Sequence, residues 1–198
     1  MEESSSQAGH SASADGAATI VLREEDVRRA LTRIAHEIAE RNSSDRGLSI
    51  VGIHRRGAFL ARRLRDMLVG LLDCEIPLGD LDIGFYRDDV ASRPESPILH
   101  ASHIDFDVTG RTVVIVDDVL FTGRTVRSAI EALFDYGRPQ RVQLAVLVDR
   151  GHRELPVRPD YVGKNLPTAR SERIQVQLVE VDEIDQILLV PNPEEGSQ

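Results

Sequence analysis

The sequence predicts an α/β protein built on a mainly parallel sheet with helices on both faces. Short segments that are apolar throughout, such as 48–53, 112–117 and 141–149, alternate with amphipathic helical segments. Strands that are apolar on both faces are typical of a parallel sheet covered by helices. With 198 residues, 41% of them hydrophobic, the chain is long enough for one such domain.

The first half of the chain is predicted to hold two helices and two strands. Residues 23–41 should form a helix, because apolar side chains recur on one face and three acidic residues occupy the first turn. Residues 48–53 are predicted as a strand, 57–72 as a helix and 81–86 as a strand. Residues 87–103 are polar, contain two prolines and are expected to form a long loop, as active-site lids often do.

The second half is predicted to continue this alternation. Its elements are a strand at 112–117, a helix at 124–135 and strands at 141–149, 160–163 and 174–181. Residues 1–18, rich in Ser, Ala and Gly, are expected to be a disordered tail, and residues 191–198 a flexible one. One folded domain is therefore expected at 19–190.

The composition argues against several classes of protein. No segment approaches the roughly 18 apolar residues of a membrane-spanning helix, and the N-terminus lacks the basic and apolar regions of a secretory signal. The single cysteine, Cys74, cannot form an internal disulfide, which fits a reducing, cytoplasmic location; we expect it in the core. The net charge of −9 disfavours non-specific coating of nucleic acid but leaves a local basic face open.

The segment VVIVDDVLFTGRT at 113–125 carries the strongest functional signal. Asp117 and Asp118 are predicted at the carboxyl end of a buried strand, where parallel sheets bind ligands. The next loop opens a helix, whose free N–H groups suit a phosphate, and Gly123 allows close approach. Paired carboxylates suit vicinal sugar hydroxyls and a nearby divalent cation. These features predict a ribose 5-phosphate ligand; the alternative is a solvated strand end and an ordinary helix cap.

This segment resembles the phosphoribosyl-pyrophosphate (PRPP) binding motif of type I phosphoribosyltransferases. The resemblance implies that fold, with a mainly parallel central sheet, helices on both faces and a small hood. It implies that Asp117 and Asp118, the key catalytic residues, contact the ribose hydroxyls, with Mg²⁺ nearby, and that the loop holds the 5-phosphate. The implied PRPP-binding residues are Val114, Ile115, Val116, Asp117, Asp118, Val119, Leu120, Phe121, Thr122, Gly123, Arg124 and Thr125.

A second segment, VGIHRRGAFLARRL at 51–64, resembles the pyrophosphate loop of the same family. That loop commonly has lysine or arginine, then threonine, arginine and glycine. Here the four residues are His54, Arg55, Arg56 and Gly57, so the last two match and the first two depart. Arginine side chains and loop amides suit a pyrophosphate.

Further segments, among them ALTRIAHEIAERN, LDIGFYRDD and LVDRGHRELPVRPDYVGKNLPT, resemble one branch of this family over about 19–190. These are bifunctional pyrimidine-operon attenuators that are also uracil phosphoribosyltransferases. The resemblance implies pentosyl transfer from PRPP to uracil, which yields UMP and diphosphate with Mg²⁺. It also implies binding to the leader mRNA of a pyrimidine operon in response to a uridine nucleotide, UMP or UTP, and a homodimer or higher homo-oligomer.

The base specificity depends on two parts of the sequence. Phe121 occupies the position where purine enzymes of the family often carry an acid, which disfavours hypoxanthine or guanine. The alternative is a phosphoribosyltransferase for another base without an RNA-binding role. By resemblance, the loop 87–103 is a lid that closes over PRPP, and a hood built from about 150–190 and the N-terminal segment covers the base. The implied lid residues are Arg87 and Asp88, and the implied base-contacting residues are Asp149, Arg150, Tyr161 and Val162.

The charge distribution gives partial support for an RNA-binding face. Residues 150–173 contain six basic and three acidic residues, whereas residues 174–198 contain six acids and no lysine or arginine. On the first helix, residues 28, 32 and 36 are spaced by four and form a polar stripe. The resemblance places the RNA-binding residues at Thr32, His36, Arg153 and Arg158; the alternative is a solvated helix and a loop of surface ion pairs.

Overall fold

The structure, a computed structural model, describes residues 18–43, 47–84 and 102–191. Its centre is a parallel sheet of five strands in the order β3-β2-β4-β5-β6. The first half consists of β1 (Thr19–Arg23), α1 (Glu24–Arg41), β2 (Leu48–Ile53), α2 (Arg56–Leu72) and β3 (Leu78–Leu81). The second half consists of β4 (Thr112–Leu120), α3 (Arg124–Phe134), β5 (Arg141–Asp149), β6 (Tyr161–Asn165), β7 (Glu172–Gln177), α4 (Val179–Asp182) and β8 (Gln186–Pro191).

Strand β4 shows why the sheet must be covered on both faces. Val114 and Val116 pack into one apolar cluster with α1 and α2. Val113 and Ile115 point the other way and pack with the apolar side of α3. Successive side chains of a strand alternate between faces, so the apolar segment 113–116 needs a helix layer on each side. The predicted helices on both faces of a parallel sheet are confirmed.

A small antiparallel sheet, which we call the hood sheet, forms beside the main one from β1, β8 and β7 in that order. Val176, Leu178 and Ile187 of this region are buried in the same apolar cluster as α1 and α2. The hood sheet therefore joins the two ends of the folded region and rests on the main core. Its strands β1 and β8 were missing from the sequence-based prediction.

Two predicted strands differ from those in the structure. The strand predicted at 81–86 lies at Leu78–Leu81, because it pairs in parallel with Ile50–Ile53 of β2. The strand predicted at 174–181 ends at Gln177, and the short helix α4 follows, whose end residue Asp182 accepts the Leu178 N–H at 3.0 Å. Both segments are short and apolar, so the sequence alone does not define where they begin and end.

Cys74 is exposed, so its predicted core position is wrong. It follows Asp73, the left-handed residue that ends α2, and so lies outside the helix's apolar face. Three predicted segments lie mostly outside the described ranges: the N-terminal tail (1–17), the lid loop with Arg87 and Asp88 (85–101), and the C-terminal tail (192–198). Among the described residues, no helix is long and apolar enough to cross a membrane.

Candidate functional site

The two adjacent acids lie inside β4 rather than at its end. The strand continues to Leu120, which pairs with Asp149 of β5. The prediction that the acids end the strand is therefore wrong by two residues, since the partner strand extends the ladder beyond them. The Asp117 Oδ1 accepts the N–H of Asp118, and the Asp118 Oδ1 accepts that of Val119. These bonds hold both carboxylates close to the backbone at the carboxyl edge of the sheet.

The two carboxylates have different surroundings. Asp117 is buried and lines a cavity beside the start of α3. Burial raises the pKa of Asp118, and this effect exceeds the opposing influence of its hydrogen bond with Asp117 and of the Arg56 charge. A buried carboxylate that is short of positive charge suits hydroxyl donors or a cation.

The cavity beside these acids has a volume of about 390 Å³. Gly123, with φ of +92°, forms the left-handed N-cap of α3, and a side chain there would meet Val157 at 3.2 Å. The Thr122 hydroxyl oxygen accepts the Arg124 N–H at 3.3 Å, which tightens the turn. The lining residues are Asp117, Val119, Leu120, Phe121, Thr122, Gly123, Arg124, Thr125, Val126 and Ser128.

This lining contains most of the predicted PRPP-binding segment. Asp118 does not line the cavity, and neither do Val114, Ile115 and Val116, whose side chains are buried in the core on the two faces of β4. These three apolar residues position the acids. The loop and helix N-terminus offer free N–H groups to a phosphate-sized anion.

A second loop, residues 150–157, supports the phosphate loop from outside. The guanidinium of Arg150, a buried residue, lies 4.0 Å from the centre of the Phe121 ring. The His152 ring also contacts Phe121, with 5.9 Å between the ring centres and an angle of 71° between the planes. Arg153 donates to the Phe121 carbonyl oxygen at 2.8 Å and pairs with Asp149. The backbone of the second loop also donates twice to the Thr122 carbonyl oxygen.

These contacts change the expected roles of two residues. The side chains of Asp149 and Arg150 were predicted to contact the base, but both are engaged in holding loops together. Arg150 donates to the Thr168 hydroxyl and to the Glu172 carbonyl oxygen, which connects the phosphate loop with the start of β7.

The other two predicted base-contacting residues lie on β6. The Tyr161 hydroxyl donates to Gln143 at 3.0 Å within a buried network beneath α1. The Val162 carbonyl oxygen accepts a hydrogen bond from Arg33 at 2.9 Å, and Val162 is level with Asp117, because both pair with Val146. β6 continues to Asn165, which is level with Asp149. The contact of Tyr161 and Val162 with the base stays a prediction.

The loop between β2 and α2 meets β4 next to the two acids. A side chain at Gly57 would come within 2.5 Å of the Val116 carbonyl oxygen, so only glycine allows this approach. Arg56 begins α2 and donates through Nη2 to both carboxylate oxygens of Asp182 at 3.0 Å. Arg55 is exposed, and His54 bonds to Asp80 of β3 at 2.6 Å. The loop thus presents arginine near the sheet edge, opposite α4 of the hood region.

The four predicted RNA-binding residues fall into two groups. Thr32 and His36 occupy adjacent turns on the exposed side of α1, and the His36 Nδ1 lies 2.9 Å from the Thr32 carbonyl oxygen. Arg158 is exposed. Arg153 differs from it, since its guanidinium is bonded to Asp149, to Phe121 and to the Val157 carbonyl oxygen.

Comparisons with known proteins now identify the family. A family model described as a phosphoribosyl transferase domain matches residues 18–183. The bifunctional protein PyrR of Roseiflexus sp. (strain RS-1) is 59% identical over 162 residues, which are 82% of this chain and 88% of that protein. That of Brevibacillus brevis is 58% identical over 167 residues, 84% of this chain and 93% of that protein. The chain belongs to the PyrR family.

Solved structures agree on the fold of this PyrR-family chain. Hypoxanthine phosphoribosyltransferase from Trypanosoma cruzi, in complex with its product IMP, superimposes with a TM-score of 0.67 at 21% identity, covering 88% of this chain and 94% of that one. The enzyme from Staphylococcus aureus gives 0.63 at 19% identity, covering 89% and 93%. The predicted type I phosphoribosyltransferase fold is confirmed.

Phosphoribosyltransferases of this fold generally use Mg²⁺ together with PRPP. Within the described ranges, no cluster of three or more His, Cys, Asp or Glu side chains can hold a metal ion by itself. Magnesium characteristically takes one or two carboxylates and completes its shell with substrate phosphates and water. The buried pair Asp117 and Asp118 fits that pattern, because a cation would offset the cost of burying the Asp118 charge.

Sequence reasoning missed three residues at the edge of this PyrR-family site. Asp182 pairs with Arg56, Asp80 pairs with His54, and Asn165 ends β6 beside Asp149. Asn165 follows from the carboxyl-edge rule once the true end of β6 is known. Asp182 lies about 125 residues from Arg56 in the sequence, so no local pattern connects the two.

Proposed function

We propose that this protein transfers the 5-phosphoribosyl group of PRPP to uracil, forming UMP and diphosphate. The observation that carries the proposal is the cavity at the N-terminus of α3, which Asp117 lines, with the half-buried Asp118 next to it in β4 and the loop containing Arg56 nearby. This arrangement has a place for each part of PRPP: a phosphate, a ribose with vicinal hydroxyls, and a pyrophosphate.

The 5-phosphate occupies the loop from Phe121 to Thr125. Free N–H groups and the positive end of the α3 dipole face it, and Gly123 lets the backbone approach closely. Asp117 and Asp118 accept hydrogen bonds from the ribose hydroxyls. Two hydroxyls held by two adjacent carboxylates fix the orientation of the sugar.

The pyrophosphate lies at the loop of residues 54–57. Arg56 provides planar, charged donors there, and α2 begins at the same place. Asp117 and Asp118 would hold Mg²⁺ together with oxygens of the substrate, and the ion would offset negative charge on the leaving diphosphate. Arg56 must exchange part of its contact with Asp182 for the pyrophosphate.

Transfer requires little covalent chemistry from side chains. The bond from C1′ to the pyrophosphate oxygen breaks, and its electron pair leaves with diphosphate. A uracil nitrogen loses its proton and forms the new bond to C1′. Positive charge develops on the ribose during this exchange, and the carboxylates beside the sugar stabilise it electrostatically. The protein mainly positions both substrates and limits the access of water.

Uracil as the acceptor base is supported by the PyrR relatives and by Phe121. This ring is packed between Arg150 and His152, so the position offers no acid to a purine imidazole. A different base remains the alternative substrate.

The second proposed activity is regulation of pyrimidine genes by binding leader mRNA in response to a uridine nucleotide, in the cytoplasm. The exposed stripe with Thr32 and His36 and the exposed Arg158 support it. The name PyrR, given to relatives that match more than four-fifths of this chain, denotes a bifunctional protein. A homodimer or higher homo-oligomer is part of this proposal.

The direct test is phosphoribosyl transfer by purified protein with PRPP, Mg²⁺ and uracil, hypoxanthine, guanine or orotate. We expect turnover with uracil only. Turnover with a purine would keep the PRPP site and reject the proposed base. RNA binding is then measured with a pyrimidine-operon leader, with and without UMP.

A further inference from the structure

Three polar side chains at the edge of the pyrophosphate loop form a cluster that the transfer chemistry does not use. His54, the first residue of that loop, places Nε2 2.6 Å from the Asp80 Oδ1. His103 places Nδ1 3.4 Å from the same oxygen. One carboxylate thus serves two histidines, and one of these histidines belongs to the loop expected to hold pyrophosphate.

The backbone holds this cluster in place. Asp80 and His103 exchange both of their backbone hydrogen bonds at 2.9 Å, and the His54 N–H donates to the Leu81 carbonyl oxygen. The side chains of His54 and Asp80 are only 24% and 29% exposed, whereas His103 is 64% exposed. His54 and Asp80 therefore meet in a restricted, partly dry environment, where a charge has more effect than at an open surface.

The charge of the cluster depends on the histidine at position 54. Related loops commonly begin with lysine or arginine, which keep their charge at all relevant pH values. Histidine gains or loses its proton in the neutral range. With both imidazoles neutral, the cluster carries the single negative charge of Asp80, which repels a polyanion. One proton balances that charge, and a second makes the cluster positive.

We infer that His54, Asp80 and His103 form a proton-dependent charge regulator for the pyrophosphate loop, which weakens the binding of pyrophosphate groups as pH rises through neutrality. His54 acts here as a positioning and electrostatic residue. This inference rests on the proposed PRPP site, since pyrophosphate is expected at residues 54–57.

Other charged groups surround the cluster and set a constant background. Arg55 and Arg56 of the same loop are positive, Asp82 on the segment after β3 is negative, and Asp182 of α4 is paired with Arg56. Asp82 is engaged with the Gly84 N–H at 2.8 Å. None of these four is a histidine, and His54 and His103 are the imidazoles on which the inference rests.

The experiment compares the wild type with His54→Lys, His54→Gln and Asp80→Asn. The KM for PRPP is measured from pH 6 to 8.5, with the KM for uracil as internal control. PRPP phosphates also titrate near pH ~6, so the readout is the difference between proteins at each pH. The lysine variant keeps a permanent charge, and the glutamine variant keeps a hydrogen bond without charge.

We expect the wild-type KM for PRPP to rise by about three- to tenfold more than that of His54→Lys over this range. His54→Gln should bind PRPP weakly at both extremes, and Asp80→Asn should shift the wild-type profile to lower pH. Parallel profiles for the wild type and His54→Lys would overturn the inference. A purely structural role for His54 would change all pH values equally and would not be rescued by lysine.

Direct titration with inorganic pyrophosphate and Mg²⁺ separates this inference from the proposed function. If pyrophosphate binds with the expected pH difference between the wild type and His54→Lys but no base is turned over, the inference holds and the transferase proposal fails. If uracil is turned over and pyrophosphate binding shows no such difference, the transferase proposal holds and the inference fails. His103→Gln, at the exposed position, provides a milder variant whose pH effect should be smaller but in the same direction.

Discussion

At the scale of single residues, Asp117 and Asp118 are identical side chains with different surroundings. Asp117 lines the cavity, while Asp118 is buried near Arg56. Burial raises the pKa of Asp118, which means that the folded state holds its ionised form at a cost in stability. Such a cost at a candidate catalytic residue is typical of sites where function takes precedence over stability.

Replacing Asp118 by asparagine should therefore affect activity and stability in opposite directions. We expect kcat/KM for transfer to fall by at least ~100-fold, since a charged acceptor at the ribose is lost. The melting temperature at pH 7 should stay the same or rise, because the variant no longer buries a carboxylate charge. A variant that melts well below the wild type would contradict this description of Asp118.

A single substitution can test whether Tyr161 contacts the base. Its hydroxyl donates to Gln143, and Asn42 donates to it at 3.2 Å. Tyr161→Phe should lower the free energy of unfolding by about 1–3 kcal/mol, because buried polar groups lose a partner. The KM for uracil should not change. A marked rise in this KM would show that Tyr161 contacts the base.

At the scale of elements, the phosphate loop depends on the loop of residues 150–157. Arg153 is predicted from the sequence to bind RNA. In the structure it bonds to the Phe121 carbonyl oxygen and pairs with Asp149. A long side chain that connects two loops contributes to the shape of both, whatever else it binds.

Arg153→Ala is thus expected to raise the KM for PRPP by about three- to tenfold, equivalent to roughly one lost charge-assisted hydrogen bond. Initial-rate measurements at saturating uracil would show this. An unchanged KM for PRPP would indicate that the phosphate loop keeps its shape without Arg153.

Arg158→Ala is the better variant for separating RNA binding from transfer, because Arg158 is exposed. If Arg158 contacts a phosphate, the plot of log affinity for leader RNA against log salt concentration should lose about one unit of slope. Transfer should be unaffected. Arg141→Ala, at an exposed residue that begins β5, is a matched control and should change neither activity.

At the scale of the whole molecule, ion pairs attach the hood region to α2. Arg63 donates to Glu180 at 2.6 Å and pairs with Asp185, while Arg56 pairs with Asp182. The hydrogen bond from Arg63 lowers the pKa of Glu180. For Asp182 and Asp185, burial acts to raise the pKa, but hydrogen bonds and the neighbouring arginines outweigh it and lower the pKa.

These shifts predict loss of stability in acid. Carboxylates with a lowered folded-state pKa contribute stability that is present above their unfolded pKa of about 4 and is lost as pH falls through the folded value. Thermal unfolding monitored by circular dichroism should therefore show a steep fall in melting temperature below about pH 4. Arg63→Met should weaken this acid dependence, since two of the three carboxylates lose their partner.

Arg63→Met should also destabilise the protein at pH 7. Removing Arg63 leaves the carboxylates of Glu180 and Asp185 without their charged partner, which costs about 1–3 kcal/mol because all three side chains are partly exposed. Arg62→Met, next to it on the exposed side of α2, is the control and should change stability by less than ~0.5 kcal/mol. Equal effects from both variants would show that the network contributes nothing specific.

Local sequence patterns were sufficient to predict the class of fold and the centre of the site. Apolar strands alternating with amphipathic helices allow few arrangements besides a covered parallel sheet, and the segment from Asp117 to Thr125 combines acids, glycine and a helix start within a few residues. Such features are local, so they can be recognised in the chain without knowing its partners in space.

Strand ends and side-chain contacts that depend on distant residues can be seen only in the folded structure. The end of β4 is set by its pairing with β5, the position of Tyr161 by a network with Asn42 and Gln143, and the role of Arg153 by the loop it holds. The contacts between Arg56 and Asp182 and between His54 and Asp80 join separate segments of the chain. No pattern within either segment predicts its partner. The physical reason is that burial and pairing are properties of the assembled chain, whereas residue type and periodicity are properties of a segment.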